Sequence, residues 1–426
     1  MTSRPLKIIL FVAFVDLVGF GLIIPLQAVY AKRLGASGLT FGLLLGAYSL
    51  MQLVFSPLLG RWSDRFGRRR VLLLSIAGSM VAHALLGVAD MASSLSLLFV
   101  ARIVDGITGA NIATAQAYVA DVTTTDNRAK GMGLFGAAFG LGFVVGPALG
   151  SALAFIGRHV SGPAHGTAWP AFGATVISLV AFLLVWLYLP EPAKAERAAR
   201  TRYGTLRVSL LRAVLGNARL RELFAIVFGS VFTFVLLEVT FVYLCTHTFA
   251  VTEAGTGMIF AYIGALMIIV QGGLVGPLVH RFGEATLAAT GPFITAVGFA
   301  LISIVPLIGQ INLAWLVLIV GCVPTSLGQG LTTPAVSALV SRQAGRRRQG
   351  ATLGLSQGVA ALARAIAPPV GGLLYDLGPS WPYWIGAALF VAVGILATWV
   401  RRAQHLAVNS SSPPESGEAS SAHAAS

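Results

Sequence analysis

Charge is scarce in this chain: 10% of its 426 residues are Asp, Glu, Lys or Arg, and only 15 residues are acidic. A water-facing surface needs about 25% charged residues, so a soluble enzyme or binding module is excluded. Cysteine is nearly absent too. Cys245 and Cys322 both lie inside apolar runs, so neither a disulfide framework nor a metal site can be assembled from them. No Gly-rich phosphate loop ending in Lys-Ser/Thr occurs, which excludes direct drive by ATP. No nucleophile elbow or zinc motif occurs either, so no catalytic residue is assigned and the chain reads as a protein that is not an enzyme.

What remains is apolar. Hydrophobic residues make up 56% of the chain and its mean hydropathy is +0.83. The 49 glycines and 19 prolines sit within these apolar runs, where membrane helices tolerate them. A bilayer-crossing helix needs roughly 20 mostly apolar residues, because a helix satisfies its own backbone in lipid. Twelve such segments can be marked, six centred from Val18 to Leu179 and six from Val235 to Val391. The fold class expected is therefore all-α and integral to a membrane, with twelve transmembrane helices. Arg4 and Lys7 precede the first span, but Asp16 within it and the lack of a small-residue cleavage site mark a retained helix rather than a secretory signal.

The net charge of +14 is explained by orientation. With both termini in the cytoplasm, all but five of the 29 basic residues fall on the inner side: Lys32, Arg33 and Arg158 fall outside, and Arg102 and Arg364 fall within spans. The basic balance thus points to a cell (inner or plasma) membrane and not to nucleic acid. The first bundle is expected over 1–190, a cytoplasmic linker over 191–220, and a second bundle over 221–402. A Ser/Pro/Ala/Glu-rich tail over 403–426 is expected to be disordered and cytoplasmic.

The halves echo each other. Gly60-Arg-Trp-Ser-Asp64-Arg65-Phe66-Gly67-Arg68 aligns, 216 positions on, with Gly276-Pro-Leu-Val-His280-Arg281-Phe282-Gly283-Glu284. Gly146-Pro147-Ala-Leu-Gly150 aligns, 221 positions on, with Ala367-Pro368-Pro-Val-Gly371. Two pseudo-symmetric six-helix bundles in parallel repeat, meeting at a central cavity, are the plan of a transporter whose halves rock about a midplane site.

At these residues the sequence resembles the major facilitator superfamily, over nearly the whole chain to Arg402. The segment Gly60 to Arg69 matches that family's loop motif, and Arg102-Ile-Val-Asp105-Gly106-Ile-Thr-Gly109-Ala matches its fourth-helix motif. Gly142-Phe-Val-Val-Gly146-Pro147-Ala-Leu-Gly150 resembles the fifth-helix packing motif associated with antiporters. Together with Asp16-Leu-Val-Gly19-Phe-Gly21-Leu-Ile-Ile-Pro25, the pattern is most similar to tetracycline/proton antiporters and multidrug efflux proteins. Two departures stand out: Gln27 occupies the region of the usual second proline, and His83 lies where tetracycline exporters carry a third-helix acid. The resemblance implies proton-coupled export of an amphipathic organic compound by alternating access. It implies a monomer without a cofactor, whose partners are small molecules, protons and the lipid bilayer. Proton-coupled uptake of a nutrient, and a non-transporting receptor of the same fold, are the alternatives.

Ionisable groups at membrane depth are costly and face a cavity or a partner. Asp16 lies about 15 Å into the first span. Arg102 and Asp105 share a helix face at i,i+3. Asp16 and Asp105 are the proton-coupling candidates with Arg102 as fixed charge; the bland alternative is an ion pair that only orients helices. Glu238 and Arg364 are either a structural pair or contacts for a charged substrate. Gln27, Asn111, Gln116, Gln329 and Gln357 complete the candidate cavity, and His83 is read as a hydrogen-bonded helix residue, with a proton relay as the alternative. Asp64, Arg65 and Arg68 are read, by the resemblance, as a conformational latch. Arg68 can meet Asp121, and the repeat carries that pair onto Glu284 and Arg342 with signs exchanged. These four are expected to form one inner-face salt bridge per half.

Overall fold

The computed structural model describes residues 4–33, 35–109, 112–123, 128–162, 166–192, 216–251 and 253–409. The described residues are almost entirely helical and contain no strand. The first half comprises α1 (Arg4–Arg33), α2 (Gly38–Phe66), α3 (Arg68–Met91), α4 (Leu95–Thr108), α5 (Ile112–Val122), α6 (Arg128–Ser161) and α7 (Trp169–Tyr188). The second comprises α8 (Ala218–Thr248), α9 (Glu253–Ile269), α10 (Val275–Phe282), α11 (Glu284–Ile304), α12 (Ile311–Leu377) and α13 (Trp381–Asn409). Residues 193–215 of the expected linker and 410–426 of the expected tail lie outside the described residues. The last helix runs on to Asn409, beyond the expected limit at Arg402.

Nine helical stretches among the described residues are long and apolar enough to cross a membrane. The other three expected spans coincide with α4 and α5 together, with α6, and with α9 and α10 together. Between α9 and α10 the backbone widens into a π turn, Val270–Leu274, around the Gly272-Gly273 pair. Successive glycines weaken helical cohesion at that point. The tenth and eleventh expected spans are joined without a loop in α12, where a break was expected near Arg342 to Arg348. The chain nonetheless reverses there, because Arg342 meets the start of α11 while Asp376 meets the start of α2.

Side chains start several helices. Ser37, Ser94 and Asn217 accept from backbone N–H groups at the first turns of α2, α4 and α8. Gly67 and Gly283 sit at equivalent junctions in the two halves, with φ of 110° and 77°. A left-handed residue is needed to stop one helix and start the next at once, which explains why the repeat keeps glycine at both.

The apolar core is forked. One cluster joins both halves, running through Leu22, Phe41 and Leu86 to Leu236, Phe299 and Phe390. Two further clusters belong to one half each: Leu6, Ile76 and Tyr118 in the first, and Leu223, Ala335 and Val400 in the second. The forked side is the end carrying Arg61, Arg65, Arg70 and Arg281, termed the basic end. The halves therefore pack together at the far end and separate toward the basic end.

Candidate functional site

The far-end closure is built from backbone contact. A Cβ on Gly42 would collide with the Pro368 carbonyl, and one on Gly372 with the Gly38 carbonyl, so α2 and α12 touch main chain to main chain. Asp376 then accepts from Gly38 N at 2.8 Å and Leu39 N at 2.9 Å, capping α2 from the opposite half. A carboxylate there also faces the positive end of the helix dipole. Beside it, Tyr375 OH and His247 Nδ1 share a hydrogen bond of 3.3 Å, and the Phe41 and Tyr243 rings meet edge to face. At the basic side, by contrast, each half has its own apolar cluster and none is shared among the described residues, so the space between the halves opens toward the basic end.

Inside the first half, α4 presents Arg102 and Asp105 to the core, 2% and 3% exposed. Their Nη1–Oδ2 distance is 2.8 Å. His83 of α3 brings Nε2 to 3.8 Å from Asp105 Oδ1, while its Nδ1 lies 3.1 Å from Ser178 Oγ of α7. The Arg102 guanidinium also stacks 4.3 Å from the centre of the Tyr48 ring. Gln52 donates to Tyr48 OH and to the Gly109 carbonyl at the end of α4. The hydrogen-bonded reading of His83 holds at Ser178, and the opposite edge of the ring makes it the third member of this cluster, which sequence reasoning did not indicate. A histidine one span away from an intramembrane acid was the available signal, but helix rotation, which sequence does not give, decides whether they meet.

Asp16 is half-buried on α1 and borders a cavity of about 20 Å³ lined by Ile9, Val12, Ala13, Leu72, Ala115 and Phe135, among others. Tyr48 lies within electrostatic reach of Asp16, Asp105 and Arg364. The packing of α1 is set by the glycine motif of α6. A Cβ on Gly146 would stand 2.7 Å from Gly21 Cα, and one on Gly142 2.6 Å from Leu17 Cβ. Gly150 abuts the Leu22 backbone, and Pro147 packs against Gly21.

In the second half, Glu238 of α8 and Arg364 of α12 are half-buried and feel each other's charge. No ion pair within 4.0 Å joins them, so the direct structural pair considered for them is not formed. Gln329 is buried and its Oε1 has no hydrogen-bond partner. Gln116 is half-buried on α5 and Gln357 is exposed on α12. Asn111 and the side chains of Gln27 and Asp64 lie outside what is described.

At the basic end, Arg68 Nε lies 3.0 Å from Asp121 Oδ2, and Arg342 Nη2 lies 3.0 Å from Glu284 Oε1. Each pair stays within its own half and is present while the halves are parted. Arg65 is exposed beside Phe66. Sequence reasoning missed Glu191, which accepts from Arg68 N at 2.7 Å and Arg69 N at 3.1 Å and so caps α3. The Arg69 guanidinium donates to the Val185 and Trp186 carbonyls at the end of α7. An acid just after the Leu189-Pro190 stop of the sixth span was the only hint.

The family model described as Major Facilitator Superfamily matches residues 9–323 and 246–424. Among curated proteins, the chain is 30% identical to Multidrug resistance protein 2 of Bacillus subtilis (strain 168), over 91% of this chain and 92% of that protein. It is also 30% identical to Tetracycline resistance protein, class B, of Escherichia coli, over 92% and 94%. Among solved structures, the human organic anion transporter MFSD10 (TETRAN) superposes with a TM-score of 0.65 at 25% identity, over 92% of this chain and 99% of that one.

Proposed function

This chain belongs to the major facilitator superfamily, and within it we propose that it works as a proton-coupled antiporter exporting an amphipathic organic compound from the cytoplasm. It is a multi-pass membrane transporter of small molecules and not an enzyme. The finer reading assigns the basic end to the cytoplasm, with both termini there, and describes a monomer in the cell membrane driven by the proton gradient without a cofactor. The present state then faces inward, closed at the far end by the α2–α12 contact.

In this reading substrate enters the space between the halves from the cytoplasmic side. Its apolar body meets the walls, while Glu238, Arg364 and the unpartnered Gln329 oxygen meet its polar groups. Asp16 and Asp105 load and release protons, with Arg102 as the fixed countercharge. A carboxyl gains or loses its proton as the balance between desolvation and the nearby cation changes, and rocking of the halves changes that balance. The Gly142, Gly146, Pro147 and Gly150 motif keeps α1 and α6 in register while they move. Asp64, Arg65 and the two inner ion pairs tune the inward/outward balance.

The observation that carries the reading is the buried Asp105 cluster: an acid, a guanidinium and an imidazole held together inside the first half. The test is antiport in everted vesicles carrying a proton gradient. Adding tetracycline or an amphipathic dye should discharge the gradient in vesicles with the chain and not in vesicles without it. Discharge by none of a broad compound panel, with the protein inserted, would end the reading. Counterflow of preloaded label then separates exchange from uptake.

A further inference from the structure

A groove between α1 and α7 opens at the basic end, within the first half and apart from the space between the halves. It encloses about 230 Å³ and is lined by Arg4, Lys7, Ile8, Phe11, Leu184 and Tyr188. This is room for several waters or for a headgroup phosphate with its glycerol link. The chemistry is graded along the helix axis. Arg4 and Lys7, one turn apart and both exposed, stand at the mouth. Phe11, 53% exposed, lies one turn deeper. Across the groove, Leu184 is half-buried and Tyr188, 54% exposed, stands at the rim. An aromatic phenol at the end of a span marks the headgroup level, and the apolar side chains below it face hydrocarbon.

The two cations are not spent on the protein. Among the described residues neither Arg4 nor Lys7 meets a carboxylate within 4.0 Å. Glu191, which follows α7, is engaged by the backbone N–H groups of Arg68 and Arg69. Two unpaired cations above an apolar channel complement an amphiphile with an anionic head and a hydrocarbon tail. Basic pockets between spans at the cytoplasmic face are suited to anionic headgroups.

We propose that this groove is a binding site for an anionic phospholipid of the adjoining leaflet. Its phosphate sits between Arg4 and Lys7 with Tyr188 at the rim, and an acyl chain lies along Ile8, Phe11 and Leu184. The lipid would bridge α1 to α7 and so brace the helix that carries Asp16. The proposal rests on the membrane placement of α1 and α7 and is independent of proton coupling.

The full chain, purified in a mild detergent, would be titrated with phosphatidylglycerol, with phosphatidylcholine of the same acyl chains, and with inorganic phosphate. Lipid retained is read by native mass spectrometry and the shift in melting temperature by thermal unfolding. The expected result is retention of phosphatidylglycerol with an upward thermal shift, and neither effect from phosphatidylcholine or phosphate. Arg4→Gln with Lys7→Gln should cut phosphatidylglycerol affinity by about thirtyfold, the order expected for removing two cations beside an anionic headgroup. The charge-matched Arg61→Gln with Arg70→Gln, at exposed positions of the same end, should leave it unchanged. Lys7→Gln alone, which keeps Arg4 to orient the first span, should give an intermediate loss. Equal loss in the charge-matched control, full retention in both groove variants, or equal stabilisation by phosphatidylcholine or by phosphate alone would each overturn the proposal. None of these readouts involves transport, so failure here and failure of antiport are separable.

Discussion

Asp105 has two neighbours competing for one carboxylate, Arg102 at 2.8 Å and His83 at 3.8 Å, in a place water does not reach. Removing one partner of such a pair strands the other, at a cost of ~3–5 kcal/mol. Arg102→Ala should therefore yield far less folded protein than Arg102→Lys, and Arg102→Ala with Asp105→Ala should recover expression without recovering transport. Quantifying monodisperse protein by size exclusion checks this; equal losses in single and double variants would reject the pairing. Asp16 is in a different position, half-buried beside a cavity large enough for about one water. Asp16→Asn keeps size and hydrogen bonding but cannot lose a proton. It should abolish export against a proton gradient while leaving insertion and melting temperature near the parent's. Gradient-driven transport at parental rates would show that Asp16 does not carry the proton.

At the level of elements, the two ends of the molecule are held by different chemistry. The far end is clamped by Asp376 on the first turn of α2 and by glycines that bring two backbones together. A lost cap costs ~1 kcal/mol, which changes a two-state population by about fivefold. Asp376→Ala should therefore raise the labelling rate of a cysteine placed in the central space, from the far side, by about that factor. Unchanged labelling would mean that the glycine contacts alone hold the closure. The basic end is braced within each half by Arg68–Asp121 and Arg342–Glu284. The second pair is lopsided, with Arg342 75% exposed and Glu284 15% exposed, so its worth is that of a surface pair, ~0.2–1 kcal/mol. Glu284→Arg should lower transport modestly, and adding Arg342→Glu should restore it. A double variant as impaired as the single would show that the pair itself does not matter.

At the scale of the whole molecule, the forked core would let the two halves of the proposed antiporter rock without unfolding. Each keeps a private apolar cluster at the basic end, and the shared cluster at the far end is the part that would have to open. Gly60 and Gly276, equivalent in the repeat, both border open space. Spin labels on cysteines at these two positions should report a long separation, as expected for halves parted at this end. A second, shorter population should grow when the far end is loosened by Asp376→Ala. A single distance under both conditions would contradict alternation between two states.

Hydropathy and the basic-residue bias marked the membrane helices and the shared end of the basic loops, because lipid demands long apolar runs wherever the chain crosses it. The repeat was legible in the same way: Gly67 and Gly283 occupy equivalent turns, and the sign-exchanged pair at Glu284 and Arg342 closes at the distance found for Arg68 and Asp121. Tertiary structure alone placed His83 against Asp105, kept Glu238 from Arg364, put Glu191 at the start of α3, and carried Asp376 from one half to cap a helix in the other. Helix rotation and the approach of the two halves are set by which glycines let backbones touch, as at Gly42 against Pro368 and Gly146 against Gly21. Those contacts join residues far apart in the chain, and no local pattern along the sequence encodes them.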